Sequence, residues 1–238
     1  PALAAAADPP LEKRTFTADG KTLNYRLLTP PTVEAGKMYP LVVFLHGAGE
    51  RGDDNTRQLT HGVPAFAAKE AREAYPCFLI APQCPAGKRW VEVDWGAASH
   101  TMPKEPSEPL GLTLKLIDAA MTEFPVDPKR VYATGLSMGG YGTWDVLARR
   151  PGLFAAGVPV CGGADEATAD AIKGIPVWAF HGGKDTVVKP ARSRSMVAAL
   201  EKAGGTPKYT EYPDVAHNSW TKAYSDPELM KWLFAQSK

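Results

Sequence analysis

The sequence predicts an α/β fold, a mostly parallel central sheet with helices on both faces. Apolar runs alternate with helix-patterned runs along the chain, the order that builds a parallel sheet under helices. Several apolar runs are continuous in polarity, as in strands buried on both faces. The 238 residues are 44% hydrophobic and 22% charged, a globular composition that excludes a disordered chain.

The strands are read in order. "LNYRLLTP" from Leu23 and "LVVFLHG" from Leu41 come first. "FLIAPQ" from Phe78, "RVYATGLS" from Arg130 and "AAGVPVCGG" from Ala155 follow. "IPVWAFHGG" from Ile175 and "KYTEYPD" from Lys208 complete the set. Between them, Leu110, Leu114, Ile117, Met121 and Phe124 recur at three- and four-residue steps, one face of a helix. Pro125 ends it. "KPARSRSMVAALEKAGG" opens at Pro190 and stops at Gly204, and "SDPELMKWLFAQ" has Asp226 placed to cap and Pro227 at the first turn. Pro85 to Pro109 is the longest irregular stretch, the kind that carries function in compact domains.

Residues 12–238 read as a single domain, preceded by a flexible segment, 1–11. "PALAAAADPP" offers small residues in the A-x-A spacing of a signal-peptidase site. It reads as the tail of a trimmed secretory signal, which implies a secreted or periplasmic protein, or as a flexible Ala/Pro linker. A net charge of +1 and the lack of a basic run argue against nucleic acid as a partner. No stretch reaches the ~20 apolar residues that span a membrane. Cys77 and Cys84 flank an extended run, too far apart for a disulfide. Cys161 could pair with one of them only if the fold brings it there. No CxxC or Cys/His cluster suggests a metal, and no cofactor is implied.

Gly135-Leu136-Ser137-Met138-Gly139 is a G-x-S-x-G pattern between an apolar run and a helical run. That context suits a sharp strand-to-helix turn that lifts the serine hydroxyl out of the sheet. The alternative is a glycine turn with a capping serine. A nucleophilic serine needs a base, itself oriented by an acid, in the order Ser, Asp, His. Asp185, after "WAFHGG", and His217, in "YPDVAHNSW", meet that order. Asp214 reads as a turn former, Asp165 and Asp170 as parts of a surface helix, and His181 as a residue that packs or hydrogen-bonds locally. His61 and His100 precede the serine and break the order. An oxyanion needs two N–H donors. Met138 N–H is one, and Ala48 N–H in "FLHGAGERG" is the other, with Gly47 as alternative. His46 reads as a brace for this loop. Glu50 and Arg51 either contact the alcohol side of a substrate or hold the loop by an ion pair, the loop role being preferred.

The stretches "FLHGAGERGDDN", "VDPKRVYATGLSMGGYGTWDVLARRP", "FHGGKDTVV" and "YPDVAHNSW" resemble the compact bacterial esterases of the α/β-hydrolase fold. They are similar to dienelactone-hydrolase and polyhydroxybutyrate-depolymerase-like esterases and to family 1 carbohydrate esterases. The resemblance runs through most of the chain from about Leu23. It implies a serine carboxylesterase with the triad Ser137, Asp185 and His217, acting without a metal. Dienelactone hydrolases proper use Cys where this chain has Ser137, which points to ordinary esters. The short run between Cys161 and Ile175 leaves no room for a large cap domain. The expected substrate is therefore a small or polymer-tethered ester with a short-to-medium acyl, aryl or carbohydrate-linked group. A serine peptidase of prolyl-oligopeptidase type and a non-catalytic binding module are the alternatives. Trp90, Trp95 and Trp220 either line the pocket with Gly47 or pack the loops. Trp144 reads as core.

Overall fold

The computed structural model describes residues 11–238. Of the expected secretory remnant or linker, 1–11, residues 1–10 lie outside the described residues. Eight strands form one sheet in the order β1-β2-β4-β3-β5-β6-β7-β8. They are β1 Glu12–Ala18, β2 Lys21–Leu28, β3 Tyr39–Leu45, β4 Phe78–Pro82, β5 Val126–Leu136, β6 Ala156–Val160, β7 Trp178–Gly182 and β8 Lys208–Tyr212. β1 and β2 form an antiparallel hairpin, β2 lies antiparallel on β4, and the other pairs are parallel. All seven expected strands are present. β1 is the addition: its sequence, EKRTFTA, is mostly exposed and polar, so it carries no core-strand signature.

The continuous apolar runs serve two faces at once. Leu41, Val43 and Leu45 of β3 join one core cluster, and Val42 and Phe44 join the other. This is the period-two alternation of a strand covered on both sides. The first cluster packs under α3 Glu108–Glu123, α4 Met138–Arg149, α5 Ala169–Ile172 and α6 Ala191–Lys202. The second packs under α1 Val63–Ala67, α7 Trp220–Tyr224 and α8 Pro227–Phe234. Short α2, Lys69–Ala74, precedes β4.

Side chains cap the starts of α3 and α8. Ser107 accepts from Leu110 N–H at the start of α3. Asp226 accepts from Glu228 N–H ahead of Pro227 at the start of α8. Pro190 stands just before α6, and Gly204, with φ +90°, follows it. Trp144 is buried in α4, of which only the last residues reach the surface. Between β6 and β7 the chain makes only a single turn, Glu166–Thr168, and α5.

Candidate active site

The site lies where the C-terminal ends of β3, β5, β6, β7 and β8 meet. Ser137 follows β5 and has φ 52° and ψ −117°, a left-handed conformation that a non-glycine residue adopts at a cost. Its N–H donates to Val160 O at 2.9 Å, and its own C=O accepts from Tyr141 N–H at 3.1 Å. The turn is thereby tied to β6 and to the start of α4. Gly139 permits it: a Cβ there would sit 1.8 Å from Leu45 O. Ser137 stands at the N-cap position of α4, yet its side chain makes no capping hydrogen bond. Its Oγ lies 2.8 Å from His217 Nε2 instead. The N–H groups of the first turn of α4, Met138 foremost, lack acceptors within the helix and face the end where negative charge is favoured.

His217 Nδ1 lies 2.7 Å from Asp185 Oδ2. Since that acceptor is a carboxylate, Nδ1 carries the proton and Nε2 is free to accept from Ser137. Asp185 Oδ1 accepts from Val187 N–H at 2.8 Å and Val188 N–H at 3.0 Å. Burial alone would raise its pKa, but hydrogen bonds from His181, His217 and the Val188 N–H outweigh it and hold the carboxyl well below the usual range. The run His181-Gly182-Gly183-Lys184 brings Asp185 and His217 together. A Cβ at Gly182 would lie 2.1 Å from Ala216 O, so only glycine lets the loop after β8 come this close. Lys184 N–H donates to Val215 O at 2.9 Å and fastens the two loops. Asp214 sits exposed beside them, paired with Lys184.

The loop after β3 is clamped from several sides. His46 is buried; its Nε2 accepts from Cys84 N–H at 2.9 Å, and its Nδ1–H donates to Gly47 O at 2.6 Å. Burial pushes its pKa down to about 4, so the ring is neutral in this bracing role. Gly47 leads into the short turn Ala48–Glu50. Gln83 Nε2 donates to Glu50 O at 3.1 Å and to Asp54 Oδ1 at 3.0 Å, while its Oε1 accepts from Asn55 N–H at 2.7 Å. Asn55, with φ +50°, donates to Arg14 O and Tyr25 O. The polar letters of "HGAGERGDDN" are thus mostly loop anchors. Glu50 and Arg51 do not form the ion pair expected of them. Arg51 Nε donates to Ala48 O at 2.8 Å, whereas the Glu50 carboxylate lies over Gly47 with Oε1 3.9 Å from His61 Nε2.

The tryptophans divide. Trp90 is fully buried, and its Nε1–H donates to His46 O at 3.0 Å. This corrects the expectation that it lines a substrate pocket: it packs the Pro85–Pro109 stretch onto the loop after β3. Trp95 is half-buried under the Arg89 guanidinium, 4.4 Å from its ring centre. Trp220 is half-buried and meets the His217 ring edge-on, 5.3 Å between centres, with His61 against it at 5.4 Å. His61 breaks the expected order but belongs to this neighbourhood. His100 does not: it pairs with Arg192 and packs on Tyr141. Asp165 caps the turn before α5 and Asp170 is exposed.

Cys161 and His181, read from the sequence as a possible disulfide partner and a local structural residue, both stand at the site. Cys161 follows β6 with φ +41°. All three cysteines are free and buried, so Cys161 has no disulfide partner. Burial pushes the Cys161 thiol up to about 12. Its sulfur and the ligand atoms of Asp185 and His217 lie within 4.8 Å of one another, which among the described residues is the one grouping that could hold a metal. The His181-to-Asp185 spacing was the available signal for His181, because four residues across a tight turn return the chain to the same strand end.

A model of the dienelactone hydrolase family matches residues 100–227. Among solved structures, a thermostable esterase superposes with a TM-score of 0.89 and 40% identity, covering 95% of this chain and 63% of that one. A poly(3-hydroxybutyrate) depolymerase of Ralstonia pickettii is 28% identical over 143 residues, 59% of this chain and 28% of the depolymerase. A probable carboxylesterase of Oryza sativa subsp. japonica is 25% identical over 195 residues, 75% of this chain and 81% of that protein. The chain thus spans under a third of the depolymerase's length.

Proposed function

The chain belongs to the dienelactone hydrolase family, and from that premise we propose that it hydrolyses carboxylic esters through an acyl-enzyme on Ser137. The observation that carries this reading is the unbroken hydrogen-bond line from Ser137 Oγ through His217 to Asp185, 2.8 Å and then 2.7 Å. His217 Nε2 accepts the Ser137 proton as Oγ bonds to the ester carbonyl carbon. The carbonyl electrons move to oxygen, where Met138 and Ala48 N–H groups receive the charge. The alcohol leaves with the proton returned from His217. A water molecule, deprotonated by the same nitrogen, then releases the acid and restores Ser137. Asp185 stays ionised and stabilises the His217 cation at the two points where it forms.

The shape around Ser137 supports small or polymer-tethered esters, since only a short turn and α5 separate β6 from β7. Trp220, Trp95 and Gly47 are proposed as walls of the acyl or alcohol side. Residues 12–238 act as one catalytic domain in this reading, and secretion remains tied to the reading of the first ten residues. The test is turnover of p-nitrophenyl acetate and butyrate set against aminoacyl anilides. The proposal expects ester hydrolysis lost in Ser137→Ala and little amide cleavage. Unchanged ester turnover in Ser137→Ala, or anilides cleaved faster than esters, would contradict it.

A further inference from the structure

We propose that His181 is a positioning residue: its Nε2–H, held on Val188 O, stands 3.2 Å from the same Asp185 oxygen that His217 uses, fixing that oxygen and restraining the basicity of His217. The inference rests on the reading of Ser137, His217 and Asp185 as nucleophile, base and acid.

His181 sits near the end of β7 with no exposed surface. Its Nε2 lies 3.2 Å from Asp185 Oδ2 and 2.8 Å from Val188 O. A carboxylate and a carbonyl oxygen only accept, so Nε2 carries a proton whatever the state of the rest of the ring. Nδ1 lies 2.7 Å from Ser193 Oγ, which is itself 3.2 Å from Gly162 O. If the hydroxyl donates to Nδ1, His181 is neutral. If it donates to Gly162 O, Nδ1 must donate in turn and the ring is a cation. Both arrangements keep the same N–H on Val188 O and beside Oδ2.

Asp185 therefore has each oxygen fully engaged. Oδ1 holds two backbone N–H groups, and Oδ2 is bonded by His217 with the His181 Nε2–H standing 3.2 Å away. The consequence for His217 has a definite sign. A carboxylate stabilises the imidazolium beside it, and a second donor on the same oxygen draws off part of that charge. Without His181, Asp185 attracts the His217 proton more strongly, and His217 becomes a stronger base that sheds its proton later as pH rises.

Other charged or titratable groups surround the pair. Glu211 on β8 is in register with His181, and its carboxylate is taken by Arg194 and Tyr209. The Cys161 thiol stands at the end of β6. Arg192 on α6 points to Ala164 O and His100. His61 lies across the Trp220 ring, with Glu50 behind it. Among the described residues, the side-chain nitrogens within ion-pair reach of Asp185 Oδ2 are His217 Nδ1 at 2.7 Å and His181 Nε2 at 3.2 Å.

The test is the pH profile of kcat and kcat/KM on p-nitrophenyl acetate, followed at a wavelength insensitive to nitrophenol ionisation. Wild type is compared with His181→Leu, which fills the space without a donor, and His181→Gln, whose Nε2 can reach Oδ2. The Leu variant is expected to move the acidic limb up by about half a pH unit or more. Its plateau kcat falls on the order of tenfold with KM nearly unchanged, because the lost bond acts on the base and not on substrate. The Gln variant is expected to recover most of both. If His181→Leu fails to fold, Ser193→Ala frees the far side of the ring and is expected to shift the limb the same way, by less. An unmoved limb in a folded variant, or a Gln variant no closer to wild type than Leu, overturns the proposal and leaves His181 a packing residue. A wild-type profile flat through the imidazole range would instead sink the triad reading itself, and this inference with it.

Discussion

Ser137 shows how one residue's backbone decides its chemistry. A serine before a helix ordinarily turns its hydroxyl onto the first turn as a cap. Here the left-handed φ of 52° directs Oγ to His217 instead. The conformation is held by the Val160 contact and by the absence of a side chain at Gly139. Gly139→Ala, with its Cβ 1.8 Å from Leu45 O, is expected to cost more than ~4 kcal/mol or to prevent folding, read from urea midpoints and soluble yield. Asp185 gives a different kind of prediction. Asp185→Asn keeps the shape but offers an N–H where His217 needs an acceptor, so it favours the wrong tautomer. Its kcat is expected to fall by about 10⁴-fold with the fold intact, checked by kinetics beside a thermal melt. Much of this was legible in the sequence, because G-x-S-x-G and the glycines of "HGGKD" mark close approaches that little else explains. The second imidazole on Asp185 was not legible, since its role depends on a tautomer set by Ser193 and Val188.

At the scale of elements, the site is a set of loops tied to strand ends. The loop after β3 hangs on groups just past β4's end: the backbone N–H of Cys84 holds His46, and the Gln83 side chain bridges Glu50, Asp54 and Asn55. Gln83→Ala leaves buried Asn55 N–H without its acceptor and is expected to cost ~1–3 kcal/mol. On the proposed oxyanion role of Ala48 N–H, it should lower kcat more than it raises KM. Kinetics at fixed pH with urea unfolding checks both. The central strands were legible because Val- and Leu-rich runs buried on two faces have no other simple reading. β1 was not, because an edge strand with an exposed, charged face looks like a loop in sequence. The anchoring of Trp90 was equally hidden: its acceptor, His46 O, lies far away in sequence, at 3.0 Å across the fold.

For the whole molecule, buried ionisable groups set the response to acid. Burial holds His46 at about 4, against an ordinary 6.5. Burial and the neighbouring Arg192 hold His100 at about 4 also. Between these values the unfolded chain binds protons that the folded chain refuses, so stability falls as pH drops from about 6.5 to about 4. Glu211, held at about 2 chiefly by its bond from Arg194, adds stability present above the ordinary carboxylate range and lost as pH falls towards 2. The expected outcome is a urea midpoint that declines in steps through both windows. A midpoint constant from neutral pH down to about pH 4 would contradict the buried neutral state of His46. The central claim, that Ser137 is the nucleophile served by His217, is tested most directly by covalent capture. Purified protein is treated with a fluorophosphonate, and the adduct is mapped by peptide mass spectrometry. One adduct per chain is expected, on Ser137, matching the loss of ester hydrolysis and strongly slowed in His217→Ala. An adduct elsewhere, or full ester turnover with Ser137 blocked, would contradict it.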